Sequence, residues 1–116
     1  HWSRADWCSH LPRLAAQIAW RGQALVVTLA EEGCVALNAA GVIDVAAFSV
    51  TQVDATGAGD AFGCGLVHSL ARGEPLKQAL RFANACGAHV ASRSGVFANL
   101  PRPGELAVLL RDASPA

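Results

Sequence analysis

Three small residues, Gly57-Ala58-Gly59, stand inside the stretch Asp54-Ala-Thr-Gly-Ala-Gly-Asp60, and they constrain this chain more than any other feature. Beyond them, residues 61–72 place Phe62, Leu66 and Leu70 at four-residue spacing with Gly73 as a stop, which predicts a helix. A turn of small residues before a helix lets backbone N–H groups converge on one centre, and the helix start adds about half a positive charge. That arrangement is an anion site that needs no lysine. A buried carboxylate at Asp60, in the first helical turn, would be stabilised by the same dipole and placed to accept a proton from a hydroxyl. Phosphate on one side and a base on the other describe phosphoryl transfer to an alcohol. Spacing alone leaves a plainer reading open, an ordinary Gly-x-Gly helix start with Asp as a dipole partner. The dinucleotide-binding fingerprint fits poorly, because Phe62 stands where its third glycine belongs, and no Gly-Lys-Ser/Thr follows to make a P-loop.

Around the turn, the chain reads as an α/β unit whose second half is mostly helical. Leu14, Ala15 and Ile18 predict a helix over 11–21, closed by Gly22. The apolar, β-branched run 24–30 suits a strand covered on both faces, as in a parallel sheet. A turn at Glu31-Glu32-Gly33 leads to a short strand at 34–37, and 42–48 is a third candidate strand. Pro75 suits the first turn of a helix running through Leu76, Leu80, Ala83, Gly87 and Val90, with small residues for close packing. A loop at 93–102 and a last short helix to Arg111 complete the expectation.

With 116 residues, 53% of them hydrophobic and 16% charged, the chain is sized for one buried-core domain. Nine basic residues balance nine acidic ones, which gives no electrostatic footprint for nucleic acid or an anionic membrane. No apolar run reaches the roughly 18 residues of a membrane span. Cys8, Cys34, Cys64 and Cys86 are widely spaced and read as free thiols of a reducing compartment. Within that group Cys64 and Cys86 act as small apolar fillers on two helices. His68 and His89 have no ligand partner at metal spacing and read as packing or surface residues, and Arg81 and Arg93 as helix-surface salt-bridging ones. Trp2, Trp7 and Trp20 read as core or interface, and Glu31-Glu32 as a solvated turn.

The stretch Val53-Asp-Ala-Thr-Gly-Ala-Gly-Asp-Ala-Phe62 resembles the signature of the ribokinase-type (PfkB) carbohydrate kinases, whose core is Asp-Thr-x-Gly-Ala-Gly-Asp. Three other stretches resemble the family in the right order. Val27-Thr-Leu-Ala-Glu-Glu-Gly33 is similar to its Val-Thr-x-Gly-x-x-Gly strand and turn. Ala79-Leu-Arg-Phe-Ala-Asn84 is similar to the helix by the nucleotide base, and Arg93-Ser-Gly95 through Leu100-Pro101 to the closing loop. The resemblance spans about residues 24–110. It implies that 1–116 is the C-terminal, nucleotide-binding part of a ribokinase-like three-layer α/β/α fold, with the N-terminal strands, the lid and the Asn-x-x-Glu motif associated with magnesium absent.

By that resemblance, Asp60 is the base that deprotonates a sugar hydroxyl, and the amides of Gly57, Ala58, Gly59 and Asp60 form the anion hole over the γ-phosphate of ATP. Thr28, Leu29, Ala30, Glu31, Glu32 and Gly33 lie along the nucleotide, with Asn84 at the adenosine end. Magnesium rides on the phosphates. A monovalent cation, usually potassium, is held by Asp54, Thr56 and carbonyls near Val90, Arg93 and Gly95, with Asn99 where ribokinases often have serine. Two residues depart from the pattern: Ala30 replaces a glycine and Ala55 a common threonine. If position 30 needs a positive φ, the added methyl costs roughly 1 kcal/mol. The expected function is a cytoplasmic sugar kinase portion whose partners are ATP and a sugar, and the same motifs also fit a nucleoside kinase of the superfamily. The rival expectation is a non-catalytic fragment that binds nucleotide or self-associates through open sheet edges, a homodimer being one such form.

Overall fold

The structure, a computed structural model, describes residues 1–93 together with Gly104, Glu105, Ala107 and Leu110, these four in helical conformation. In chain order the elements are α1 (Arg4–Gln17), β1 (Ala24–Thr28), a 3-10 turn (Ala30–Glu32), β2 (Cys34–Asn38), β3 (Gly41–Val45), α2 (Ala58–Ala71) and α3 (Leu76–Ala91).

The sheet runs β1-β2-β3, and both pairs are antiparallel, with Val27 opposite Val35 and Cys34 opposite Val45. The parallel sheet expected from the run 24–30 is therefore not found among the described residues. The reason is the connection: a parallel neighbour needs a crossover of a dozen or more residues. Here the 3-10 turn folds the chain straight back, with Leu29 N donating to Gly33 O at 2.8 Å. β1 is an edge strand and only half-buried, whereas Cys34, Val35 and Ala36 of the central strand β2 are fully buried. The third candidate strand is shorter than 42–48 and ends at Val45.

Helices cover both faces. α1 packs on β2 and β3, on the face that carries Val35 and its register partner Asp44. The other face presents Cys34, Ala36 and Val45 to Phe62 of α2 and to Leu80 and Ala83 of α3. The expected three-layer α/β/α arrangement is thus present, with one helix on one side and two on the other. α2 and α3 approach closely: a Cβ on Gly65 would come within 2.7 Å of Cys86 Sγ and 3.3 Å of Ala83 Cα. Burial pushes the Cys86 thiol up to about 11, which keeps it protonated and inert as an apolar filler.

Helix ends explain two further differences. α1 begins at Arg4, seven residues before the expected start, because Ser3 and Asp6 form a reciprocal capping box. It ends at Gln17 with no help from Gly22. Ala19 takes the left-handed position at φ 52°. Ala19 N donates to Ala16 O and Trp20 N to Ala15 O, the paired bonds of a Schellman motif. Consequently Ile18, expected on the buried stripe, is exposed. α2 ends in the same motif with Gly73 at φ 80°, as its sequence predicts. α2 starts at Ala58, three residues earlier than expected, so half of the glycine-rich turn is already helix.

Candidate nucleotide cleft

Four segments converge on a cleft of about 470 Å3. One wall is the end of β1 and the 3-10 turn, through Thr28, Ala30, Glu31 and Gly33. The first turn of α2 contributes Ala58 and Gly59, and the 47–52 segment contributes Phe48 and Val50. The floor is one face of α3, where Asn84, Gly87, Ala88 and Ala91 recur at helical spacing.

Each wall has a local cause. Ala30 has φ 52° and Gly33 φ 100°, so position 30 does require the left-handed conformation that its sequence departure raised. Gly33 admits no side chain, since a Cβ there would lie 2.1 Å from Val45 O and 2.6 Å from Ala47 N. The turn is thereby pressed against the strand end. Asn84, nearly fully buried, donates through Nδ2 to Val45 O (3.3 Å) and Ala46 O (3.2 Å), fixing the same strand end to α3. Its amide protons are thus engaged with backbone. Burial pushes the Cys34 thiol up to about 11, against a smaller lowering effect of the neighbouring Asn84 amide.

At the helix start, Gly57 is the N-cap at φ 83° with no side-chain cap. Ala61 N closes the first helical bond onto Gly57 O, and Ala58 N already donates to Ala55 O at 3.0 Å. Among the described residues, the amides of Gly57, Gly59 and Asp60 have no backbone acceptor. These are donors that a helix start leaves for an outside ligand. A Cβ built on Gly59 meets nothing within 4 Å, so the space beside its Cα is open.

Asp60 is exposed, contrary to the buried carboxylate expected there. Ala61 and Phe62 are the buried residues of this turn, and the 100° step per residue swings Asp60 off that inward face. It lies one residue beyond Gly59 and outside the cleft lining, as do Gly57, Leu29, Glu32, Asp54 and Thr56. Asp54 Oδ1 accepts from Thr56 N at 3.0 Å, and hydrogen bonds from the Thr56 backbone and side chain hold the Asp54 carboxyl below the usual carboxylate range. Val53 N and Asp54 N both donate to Ala91 O (2.7 and 3.1 Å), tying this turn to the C-terminus of α3. Val90 O accepts from Arg93 N nearby. The remaining cation-site positions, Gly95 and Asn99, lie outside the described residues, as does most of the closing loop.

His89 is buried and packs within reach of Glu105, with Arg93 Nη1 3.0 Å from its ring. Arg81 reaches the Leu110 carbonyl at 2.7 Å and lies over the Phe48 ring. Trp2 and Trp7 meet edge to face, and Trp2 stacks on His10 at the outer end of α1, with Trp2 itself exposed. Among the described residues no helix is long and apolar enough to cross a membrane, and no three His, Cys, Asp or Glu residues gather as a metal cluster. The sequence motifs do not mark the apolar cleft residues Phe48, Val50, Ala88 and Ala91 as site residues. The signal was present in the Asn84, Gly87/Ala88, Ala91 spacing, which reads equally as a packing stripe.

The family model described as pfkB family carbohydrate kinase matches residues 5–103. Fructokinase-1 of Oryza sativa subsp. japonica is 39% identical over 98 residues, covering 77% of this chain and 30% of that protein. The chain therefore spans less than a third of the length of this curated relative. Two solved structures are similar at 29% identity. Aminoimidazole riboside kinase from Salmonella enterica, complexed with aminoimidazole riboside and an ATP analog, has a TM-score of 0.76 over 93% of this chain and 40% of that one. A fructokinase double mutant from Vibrio cholerae O395, in a form bound to fructose, ADP and potassium ion, has a TM-score of 0.77 over 86% of this chain and 34% of that one.

Proposed function

This chain belongs to the pfkB family of carbohydrate kinases, and from that premise we propose that it forms the nucleotide-binding part of an enzyme moving the γ-phosphate of ATP to a sugar hydroxyl. The observation that carries this reading is the pairing, at one helix start, of backbone amides at Gly59 and Asp60 that have no backbone acceptor among the described residues with open space beside the Gly59 Cα. The anion hole then rests on Gly59 and Asp60 more than on Ala58, whose amide is engaged by Ala55. Backbone donors cradle the transferring phosphate through fixed dipoles that need no reorganisation during reaction. The nucleotide lies along Thr28–Gly33, over the small residues Gly87, Ala88 and Ala91. Asn84 acts there by holding the Val45 and Ala46 carbonyls, and so the wall, in place.

Asp60 is the base. Its carboxylate, next to the cradle, accepts the hydroxyl proton as the sugar oxygen attacks in line, and exposure leaves it open to an incoming substrate. Magnesium neutralises charge on the phosphates when bound, and no described residue is assigned to hold it. The turn also suits a monovalent cation, with potassium the expected ion. Asp54, Thr56 and carbonyls of Val90 and Arg93 would hold it, and the bonds from Val53 and Asp54 to Ala91 bring those segments together. The charge of the ion would steady the loop whose amides face the phosphate. Partners are ATP and a sugar, and the cytoplasm, where ATP is abundant, is the compartment this reading implies.

The test is sugar-dependent ADP release by a kinase containing this segment, with Asp60→Asn as the variant. Loss of a positioned general base lowers turnover by about a hundredfold or more, while nucleotide affinity stays within a fewfold. Near-normal turnover in Asp60→Asn refutes the assignment. The coverage of under a third of the fructokinase favours a second reading, nucleotide binding without turnover, for the 116 residues taken alone. Sugar-dependent ADP release by those residues alone would eliminate it.

A further inference from the structure

The 3-10 turn stands between the cleft and a second hollow. Ala30 and Glu31 line the cleft on one side, while Glu31 and Glu32 line a second, open hollow of about 370 Å3 on the other. Ala30, Glu31 and Glu32 are not buried, whereas Gly33, which closes the turn, is; Ala30 and Gly33 both carry a positive φ. Within the turn only short-range bonds act: Glu32 N to Leu29 O, Gly33 N to Ala30 O and Leu29 N to Gly33 O. A ligand seated in the cleft therefore presses on a wall with open space behind it.

Two side chains bond to that wall at Glu32. His1 Nε2 lies 3.0 Å from Glu32 Oε2 at an exposed site. Arg4, at the first position of α1, does more. Its Nη1 donates to the Glu32 carbonyl at 3.0 Å, part-buried, while its Nε donates to Asp44 Oδ2 of β3 at 3.2 Å. One planar guanidinium thus spans α1, the turn and β3, a geometry that a lysine ammonium on its flexible stem does not reproduce.

We propose that Arg4 is a positioning residue for the nucleotide cleft: anchored on Asp44, it fixes the Glu32 carbonyl and so holds the 30–33 turn against the nucleotide. The ligand in this statement rests on the kinase reading, whereas the hold on the turn does not. The two are separable by experiment. Amide hydrogen exchange, read residue by residue by NMR on the 116-residue chain, reports the hold. Titration with magnesium ADP reports its consequence.

In Arg4→Met, exchange at Glu32 and Gly33 should accelerate about tenfold, the scale of losing one charge-assisted hydrogen bond, while α2 and α3 amides keep their protection. The ADP dissociation constant should rise by about the same factor. Arg4→Lys should fall between the two, and Asp44→Asn should give a smaller loss, because the bond to Glu32 O survives. Unchanged exchange at Glu32 and Gly33 in a folded Arg4→Met protein overturns the proposal. So does a uniform rise across all helices, which is general destabilisation, and so does faster turn exchange with unaltered ADP affinity. If the unsubstituted chain binds no ADP, the kinase reading fails instead, and the exchange data alone decide whether Arg4 holds the turn.

Discussion

Replacing Ala30 with glycine should stabilise this protein, although the change removes a methyl group and adds no contact. Ala30 and Ala19 both carry φ 52°, a left-handed conformation that costs an L-residue about 1–2 kcal/mol. Glycine removes that cost but loses about 0.5–1 kcal/mol more backbone freedom than alanine on folding. The balance leaves Ala30→Gly and Ala19→Gly each stabilising by about 0.5–1 kcal/mol. For a domain of this size that is about 2–8 °C in Tm. The two positions share a dihedral angle and differ in place: Ala19 sits in the exposed Schellman motif that ends α1, and Ala30 lines the cleft. Urea denaturation of the wild type and both variants measures the first effect, and calorimetric titration with ATP the second. Both variants should raise the denaturation midpoint, and only Ala30→Gly should alter the ATP dissociation constant. A loss of stability beyond about 0.5 kcal/mol in Ala30→Gly would refute the strain argument, since it exceeds the balance of the two terms. An equal change of ATP affinity in Ala19→Gly would refute the placement of the cleft.

Gly59→Ala should separate stability from binding in the opposite way. Alanine is preferred over glycine in a helix by about 1 kcal/mol, and the new Cβ meets no protein atom, so the fold should hold or gain. ATP affinity should fall about tenfold or more, because the methyl takes up room at a residue that lines the cleft; undiminished affinity would remove Gly59 from the anion site. Asp54 predicts an acid-sensitive turn. Its carboxyl is depressed in the folded protein by the bonds from Thr56, so its stabilising contribution is complete above the unfolded carboxylate range, near pH 4. That contribution is lost as pH falls through the depressed folded value. The Thr56 amide resonance should follow this titration below pH 4, and Asp54→Asn should abolish it. A Thr56 resonance that moves only near or above pH 4 would contradict the assignment.

The parts of the fold written in local chemistry could be read from the chain, and those set by tertiary context could not. Gly73 stops α2 as read, and Phe62 and Leu80 lie in the core because helical spacing alone aligns them. The start of α1 is set by the Ser3–Asp6 capping box, well ahead of the apolar periodicity at Leu14, Ala15 and Ile18 from which the helix is read. Pro12 is tolerated on an exposed face of that helix. The run 24–30 looks like a buried strand, but burial depends on which neighbour pairs with it, and the tight turn at 30–33 decided for an antiparallel edge. At the site, the glycine motif located the helix start and its free amides. It did not reveal that Ala58 spends its amide on Ala55, or that Asp60 faces outward, because both follow from where the helix begins. The α3 floor was equally hidden, since small residues at helical spacing serve a ligand and a neighbouring helix alike.

If the start of α2 and the 30–33 turn form one nucleotide site, amide chemical-shift mapping during titration with magnesium ATP should reveal both together. The largest shifts should fall at Gly59 and Asp60, accompanied by Ala30 through Gly33, with α1 beyond its first turn unmoved. Saturable binding whose shifts fall elsewhere, or an absence of shifts at Gly59 and Asp60, would contradict it.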